Sequence, residues 1–588
     1  MASFVAQRVS SQSIDAFDLK LGNLVVHLLC GVLVFVLAGQ VLRRLGGSAA
    51  GNNWQWVALL AAALWLLAPL HVSTVLYAVQ RMAQFSTLFV LAGLVLYISR
   101  RESWARETAG AGQIVATSLW LLLILTLAVF SKENGILLLW LIAVIEVTLF
   151  RGMWGGRHSK VIHNLGILAL AAPALLCILI LLLAPEMLLA GYAGREFSLE
   201  ERLLTQARLL WQYLYWLLVP NINQMGFQHD DIVLSTGLLA PLTTLFSLLA
   251  WAALIVAAWL LRIKAPLLLF AVLFYLVGHS MESSLWPLEM VYEHRNYLPS
   301  VGIFIAVAYY LSRALAHAAK YVNPAVPVFA VLATCGTLLF LRVHAWAEPV
   351  RMNAINVSNH PESPRSHFFM AEALLNRYSA EREAGIAKPE ELTPYLVLAR
   401  HHLELMYKLN PRDVAALVML YYMDSYHTTK LPGSQDWYGE LLALLTTRRL
   451  QASDISALET LLDCIIQEYC PASDAQVEAL FSTLASRYPD NSNFTLQRYR
   501  YLEARGYLSE QRKALLATAE QMQSGNKRIY QTQINAYQQA SDTSDVLEAT
   551  RKWLLHDPKR RDLTEIRRLF RGPVQGGDMA VQGATPDA

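Results

Sequence analysis

Charge is scarce in this 588-residue chain. Only 16% of residues are Asp, Glu, Lys or Arg against 55% hydrophobic, and the mean hydropathy is +0.35. So few charges cannot cover the surface of an ordinary soluble protein, which excludes that class for the chain as a whole. Cysteine is scarce as well: five in all, with no CxxC pair and no Cys/His set at zinc spacing. There is no glycine-rich loop of the kind that cradles phosphates, which argues against a nucleotide-sugar donor held by a nucleotide fold. The first 20 residues hold Arg8, Asp15, Asp18 and Lys20 where a cleavable signal peptide would need an apolar stretch and small residues. A net charge of +3 says little, and no nucleic-acid partner is expected.

What is present is unevenly placed. Residues 22–343 read as one apolar span after another, and residues 344–571 as soluble helical sequence. Ten spans are expected, near 22–41, 54–70, 74–98, 115–130, 135–150, 163–184, 237–261, 265–281, 299–319 and 323–343. The fold class is therefore all-α: a polytopic helix bundle in the lipid bilayer followed by a helical domain in water. Residues 1–21 read as the end of a loop, and residues 572–588, rich in Gly, Ala and Asp, as a disordered tail. Cys30, Cys177 and Cys335 fall in apolar spans as buried hydrophobes. Cys464 and Cys470 pair if their region faces an oxidising compartment, and are otherwise two unrelated thiols.

Alternate connections carry the basic residues: Arg43 and Arg44; Arg100, Arg101 and Arg106; Arg151, Arg157 and Lys160; Arg262 and Lys264; Lys320. The positive-inside rule makes these cytoplasmic and look like simple anchors. The other connections face out: residues 1–21, 71–73, 131–134, 185–236, 282–298 and everything after 343. The stretch 203–220 holds Gln206, Arg208 and Gln212. Spanning would break the alternation, so it reads as an amphipathic helix on the outer interface. The scheme leaves the amino terminus outside with no span before it, so a helix upstream of Met1 is expected.

The polar groups that suggest chemistry fall in the outward set. Pro69-Leu70-His71 leads into Tyr77 and Arg81, one helical turn apart. Arg81, deep in a span, either binds a phosphate bidentately or pairs with a carboxylate such as Glu133. Ser131-Lys132-Glu133-Asn134-Gly135 interrupts a long apolar stretch. Lys132 serves as a point charge for phosphate, or the segment is merely a polar turn. His229-Asp230-Asp231 could bind a divalent metal or do acid/base work, though one His and two Asp make a weak motif against a solvated capping loop. The most concentrated set is Glu282, Glu289, Glu293, His294 and Arg295, beside lipid. Glu282 and Glu289 share a face if helical, which Pro287 opposes. Arg295 suits a phosphate, a carboxylate a sugar hydroxyl, and His294 either. The competing reading is a set of mutually neutralising charges that fix the loop.

The segments PLHVSTVLYAVQR, SKENG, ERLLTQARLLWQYLYWLLVP followed by HDD, and PLEMVYEHRNYLPS together resemble membrane glycosyltransferases of the GT-C superfamily. They are similar to bacterial relatives of the transmembrane-and-TPR protein O-mannosyltransferases, over roughly residues 3–370. The resemblance implies transfer of a sugar from a polyprenyl-phosphate carrier on the outer face. It makes Arg81, Lys132 and Arg295 donor-phosphate ligands, with Glu293 and His294 as supporting groups. Ser3 to His27 resembles the end of the family's first outer loop, so the catalytic aspartate of that loop would lie before Met1; Asp15 and Asp18 do not match it.

Beyond residue 361, helix boundaries at Pro361–Pro364, Leu409-Asn410-Pro411, Tyr488-Pro489-Asp490 and Asp557-Pro558 lie 50, 78 and 69 residues apart. The last two intervals are near twice a 34- to 40-residue unit and suggest divergent tetratricopeptide-like repeats, whose concave face would recruit a protein or glycan acceptor. The alternatives are an O-antigen ligase or oligosaccharyltransferase type of envelope enzyme, and a non-catalytic membrane scaffold presenting the repeats.

Overall fold

The computed structural model describes residues 15–45, 53–319, 321–426, 435–448, 450–489, 491–506, 509–558 and 560–570. Most of the expected amino-terminal loop, Lys320 and the tail lie outside the described residues. Those described are all-helical apart from one hairpin, β1 (Met153–Trp154) with β2 (Arg157–His158). The chain divides into two compact units, Met1–Leu409 and Asn410–Ala588.

The first unit opens with α1 (Ala16–Leu45), whose buried residues Asn23, His27, Cys30, Val34, Leu37 and Val41 recur every three or four positions. Its opposite side, with Leu21, Leu24, Leu28 and Val32, is equally apolar yet exposed, as a lipid-facing helix requires. Gly31 lets α1 approach α2 (Trp54–Leu66): a Cβ there would come within 2.6 Å of the Leu66 side chain. A single span was expected over 54–70. Pro69, with no N–H to donate, instead ends α2, and the chain bends by 48° into α3 (Val72–Leu76).

The bundle continues with α4 (Arg81–Arg106), α5 (Ala111–Ser131), α6 (Leu137–Ile145), α7 (Lys160–Leu183), α8 (Leu199–Leu218), α9 (Thr243–Leu260), α10 (Pro266–His279), α11 (Ser300–Ala318) and α12 (Ala325–Ala345). Among the described residues, eight helices are long and apolar enough to cross a membrane, or nine if the bent pair counts as one span. That is the pattern of a multi-pass membrane protein. The expected span at 265–281 falls short, because α10 has 14 residues, about 21 Å of helix against a hydrocarbon core of about 30 Å. Helices α5, α7 and α12 leave most of their apolar surface exposed, and α1, α2, α4, α6, α10 and α11 build the core.

The basic connections are more than simple anchors. Arg101 is buried, holds Glu146 with two hydrogen bonds of 2.7 and 3.1 Å, and lies over the rings of Phe150 and Trp154. Arg44 donates to the Leu149 carbonyl and Arg151 to that of Arg262. Guanidinium groups thus close this end of the bundle by satisfying carbonyls that helix termini leave free.

The soluble region was expected to begin at 344. The first unit instead includes α13 (Pro349–Asn359), α14 (Pro364–Glu383) and α15 (Pro389–Leu409). The reason is specific hydrogen bonding: Asn359 donates to the carbonyls of Ile222 and Met225, and Asn356 accepts from the Phe227 N–H.

The second unit is a succession of short helices: α16 (Val414–Tyr426), α17 (Trp437–Thr447), α18 (Ala452–Ile466), α19 (Asp474–Arg487), α20 (Ser492–Ala504), α21 (Ser509–Met522), α22 (Lys527–Gln539), α23 (Thr543–His556) and α24 (Leu563–Leu569). Alternate helices begin at Val414, Ala452, Ser492, Lys527 and Leu563, intervals of 35 to 40 residues. Capping side chains open many of them, among them Ser473, Asn491, Asn526 and Asp542. Cys464 and Cys470 form a disulfide. Cys30 is buried as expected, but Cys177 and Cys335 are only half-buried, on the lipid-facing helices α7 and α12.

Candidate functional site

The segment between α10 and α11 contains no α-helix and is nevertheless largely buried, which raises the question of where its backbone carbonyls find donors. The donors come from α8. A Ser198/Glu201 capping box starts that helix, and its buried stripe begins with polar residues: Arg202, Thr205, Gln206, then Leu209, Tyr213 and Trp216. Arg202 donates to the carbonyls of Ser284 (3.0 Å), Glu282 (2.7 Å), Glu289 (3.3 Å) and Leu288. Gln206 donates to Met290 O at 2.8 Å, and the Tyr213 hydroxyl accepts from the Tyr292 N–H at 3.1 Å. The interfacial helix expected at 203–220 thus turns Gln206 into the protein rather than to water. The reason is that irregular buried backbone costs more than a buried amide that pairs with it.

Held in this way, Glu282 meets Lys132 from the turn after α5. Lys132 Nζ lies 2.5 Å from Glu282 Oε1, and Arg295 Nε 3.8 Å from Oε2. The turn that delivers Lys132 depends on Gly135, where a Cβ would sit 2.2 Å from the backbone carbon of Ala128; no side chain fits. Arg295 also donates to Met290 O at 2.9 Å and lies over the Tyr292 ring, on which His294 stacks. A pocket of about 20 Å³ lies among Lys132, Asn134, Glu282, His294, Arg295 and, from α4, Ser86 and Thr87, room for about one water molecule.

Electrostatics set the protonation states here. Burial alone would push the Glu282 carboxyl up, but the Lys132 ammonium and Arg295 guanidinium overrule it and hold it down to about 2. Burial, with Lys132 beside it, holds His294 down to about 3, so its ring is neutral. The pocket lining therefore carries two cations and one carboxylate.

Two further carboxylates act as fasteners. Glu293, fully buried, accepts from the Gly226 N–H (2.9 Å) and from Arg342 at the end of α12 (3.0 Å), with His229 at 3.7 Å. Arg342 also reaches Pro69 O, so one ion pair ties the bent span, the loop after α8 and α12 together. Glu289 pairs with Arg195 at 2.7 Å and Arg365 at 3.3 Å. Burial raises both carboxyls, and the cations more than reverse it, leaving both below the ordinary range.

The remaining expected residues are placed differently. Arg81 turns to α1, donating to Asn23 Oδ1 at 2.7 Å and Leu19 O at 2.8 Å. His71 is buried among Trp65, Tyr297 and His27, with both ring nitrogens engaged, by Trp65 O and Ser300 Oγ. Glu133 is exposed, with no ion pair among the described residues. Asp230 accepts from the Ser363 hydroxyl and the Arg365 N–H at the start of α14, a capping role. Asp231 pairs with His360 at 2.9 Å, and His229 hydrogen-bonds Gly226 O. With each donor so committed, His229, Asp230 and Asp231 do not fit a divalent cation. No group of three or more His, Cys, Asp or Glu among the described residues is arranged to hold a metal ion.

Sequence reasoning did not single out Arg202, Tyr213, Arg342, Asn356 or Arg365 as site residues. The signal was there for one: an arginine at the edge of the last span, at 342, demands a buried partner. Compared with protein-family models, curated proteins and solved structures, the chain matches none.

Proposed function

We propose that the chain is a membrane glycosyltransferase. It takes a sugar from a polyprenyl-phosphate-linked donor and passes it to a protein or glycan acceptor on the outer, periplasmic face of a bacterial inner membrane. The observation that carries this is the pair of cations, part-buried Lys132 and buried Arg295, which share the single carboxylate of Glu282 beside the ends of apolar helices. Two cations with one counter-charge favour a further anion. A phosphate on a lipid tail presents its charge at this level while the tail stays in hydrocarbon. Phosphate binding narrows to these two residues, because Arg81 is turned to α1. Residues 410–570 serve as a tetratricopeptide-like unit that recruits the acceptor, supported by the 35- to 40-residue interval between alternate helices. The Cys464–Cys470 disulfide supports an oxidising compartment for that unit.

One observation favours a second reading, a non-catalytic protein that binds the lipid and presents the helical unit. Glu282, Glu289 and Glu293 are all ion-paired and held ionised, so none is poised as a general base near neutral pH. Membranes containing the full chain, supplied with a polyprenyl-phosphate carrying a radiolabelled hexose, separate the two. Transfer of label to acceptor, lost at least a hundredfold in Lys132→Ala and Arg295→Ala, supports the enzyme. Retention of full transfer in both variants refutes the phosphate role. Binding of the lipid without transfer selects the second reading.

A further inference from the structure

We propose that Glu282 is a built-in counter-anion: its carboxylate occupies the place of a ligand phosphate between Lys132 and Arg295, and a phosphate-bearing ligand binds by displacing it. The inference rests on the phosphate reading of this site and adds how the site opens.

Three observations carry it. First, the carboxylate reaches both cations with different oxygens, Oε1 to Lys132 Nζ at 2.5 Å and Oε2 toward Arg295 Nε at 3.8 Å, as a bridging phosphate oxygen pair would. Second, the pocket they line is about 20 Å³, too small for a phosphate group, so an anion enters only if a lining side chain leaves. Arg295 is fixed by its bond to Met290 O and by the Tyr292 ring, and the tight turn that Gly135 permits holds the Lys132 backbone. Glu282 follows α10, held through its backbone carbonyl by Arg202, so its side chain can swing without loosening the segment. Third, a place to receive it exists. His279, one turn earlier and near Glu282, is buried with its ring engaged only by a loose approach to Asn296, and the Ser283 hydroxyl is unpaired, among the described residues. Buried polar groups left unpaired or only loosely paired are costly, so a second arrangement in which they accept the carboxylate is provided for. Its charge keeps the two cations in place while the site is empty, and exchange for a phosphate keeps them paired throughout.

The test measures binding of farnesyl phosphate and of inorganic phosphate to the full chain in detergent micelles by titration calorimetry. Removing the competitor in Glu282→Gln is expected to tighten farnesyl phosphate at least tenfold, while Lys132→Met weakens it at least tenfold. Should Glu282→Gln fail to fold, Glu282→Asp, which withdraws the carboxylate by one methylene, is expected to tighten binding about threefold. Unchanged or weaker binding in the Glu282 variants, with Lys132→Met still weakened, overturns the displacement and leaves the phosphate site standing. A tenfold gain for inorganic phosphate, with no preference for the prenyl compound, supports the displacement but refutes a lipid-linked ligand. No binding of either probe to wild type or to any variant sinks both ideas.

Discussion

Replacing Glu293 by glutamine removes one charge from the ion pair that joins three separate parts of the first unit. Arg342 lies 3.0 Å from the carboxylate, and the side chains are 1% and 7% exposed, so no water takes over. At that separation an effective dielectric of about 20 gives an attraction of about 5 kcal/mol, and broken buried pairs cost about 3–5 kcal/mol. Glutamine cannot repair the loss, because it has one acceptor where Arg342 and the Gly226 N–H need two, and its NH₂ faces a donor in either orientation. The expected destabilisation is therefore about 3–5 kcal/mol, read as a fall on the order of 5 °C in the thermal midpoint followed by tryptophan fluorescence in detergent. The double variant Glu293→Gln with Arg342→Met removes the stranded charge and should return to within about 2 kcal/mol of wild type. A single variant within 1 °C of wild type, or a double variant as unstable as the sum of the singles, refutes the keystone role.

Two other expectations concern pH and redox state. Because the folded Glu282 carboxyl lies at about 2 against an ordinary 4.5, its contribution is complete above pH 4.5 and is lost as pH falls through 2. The stability gap between wild type and Glu282→Gln, about 3 kcal/mol at pH 7 by the same shift, should close over that window in denaturation curves; a gap constant with pH refutes the ion-pair account. Cys464 and Cys470, joined across a short loop, should resist alkylation until reductant is added, and reduction should cost the second unit about 2 kcal/mol. Alkylation of both thiols in native membranes without reductant would show that the unit does not stay oxidised.

The helix pattern was largely legible because lipid-facing and core-facing positions are both apolar, and long apolar runs have few other uses. The departures came where a local signal set a limit: Pro69 broke one span, and α10 is short. Within the site, Glu282 and Arg295 were legible as members of one charged set beside lipid and Lys132 as a separate charge, though the three not as one cluster. Arg202 and Arg342 were missed because their partners are backbone carbonyls or a carboxylate far along the chain. A carbonyl has no signature in sequence, so a group that pairs with backbone cannot be matched to its partner by reading residue types. His71 misled for the complementary reason: an outward polar turn and a buried aromatic cluster present the same three letters.

Arg202 grips main-chain oxygens of the 282–289 segment and none of its side chains. The grip is therefore blind to what those positions display. Ser284, Leu285, Trp286 and Leu288 can be exchanged without disturbing the hold, and Trp286 and Leu288 already reach the surface. The surface chemistry of this rim can therefore change while the charged pocket behind it keeps its shape, because the two depend on different atoms of one segment.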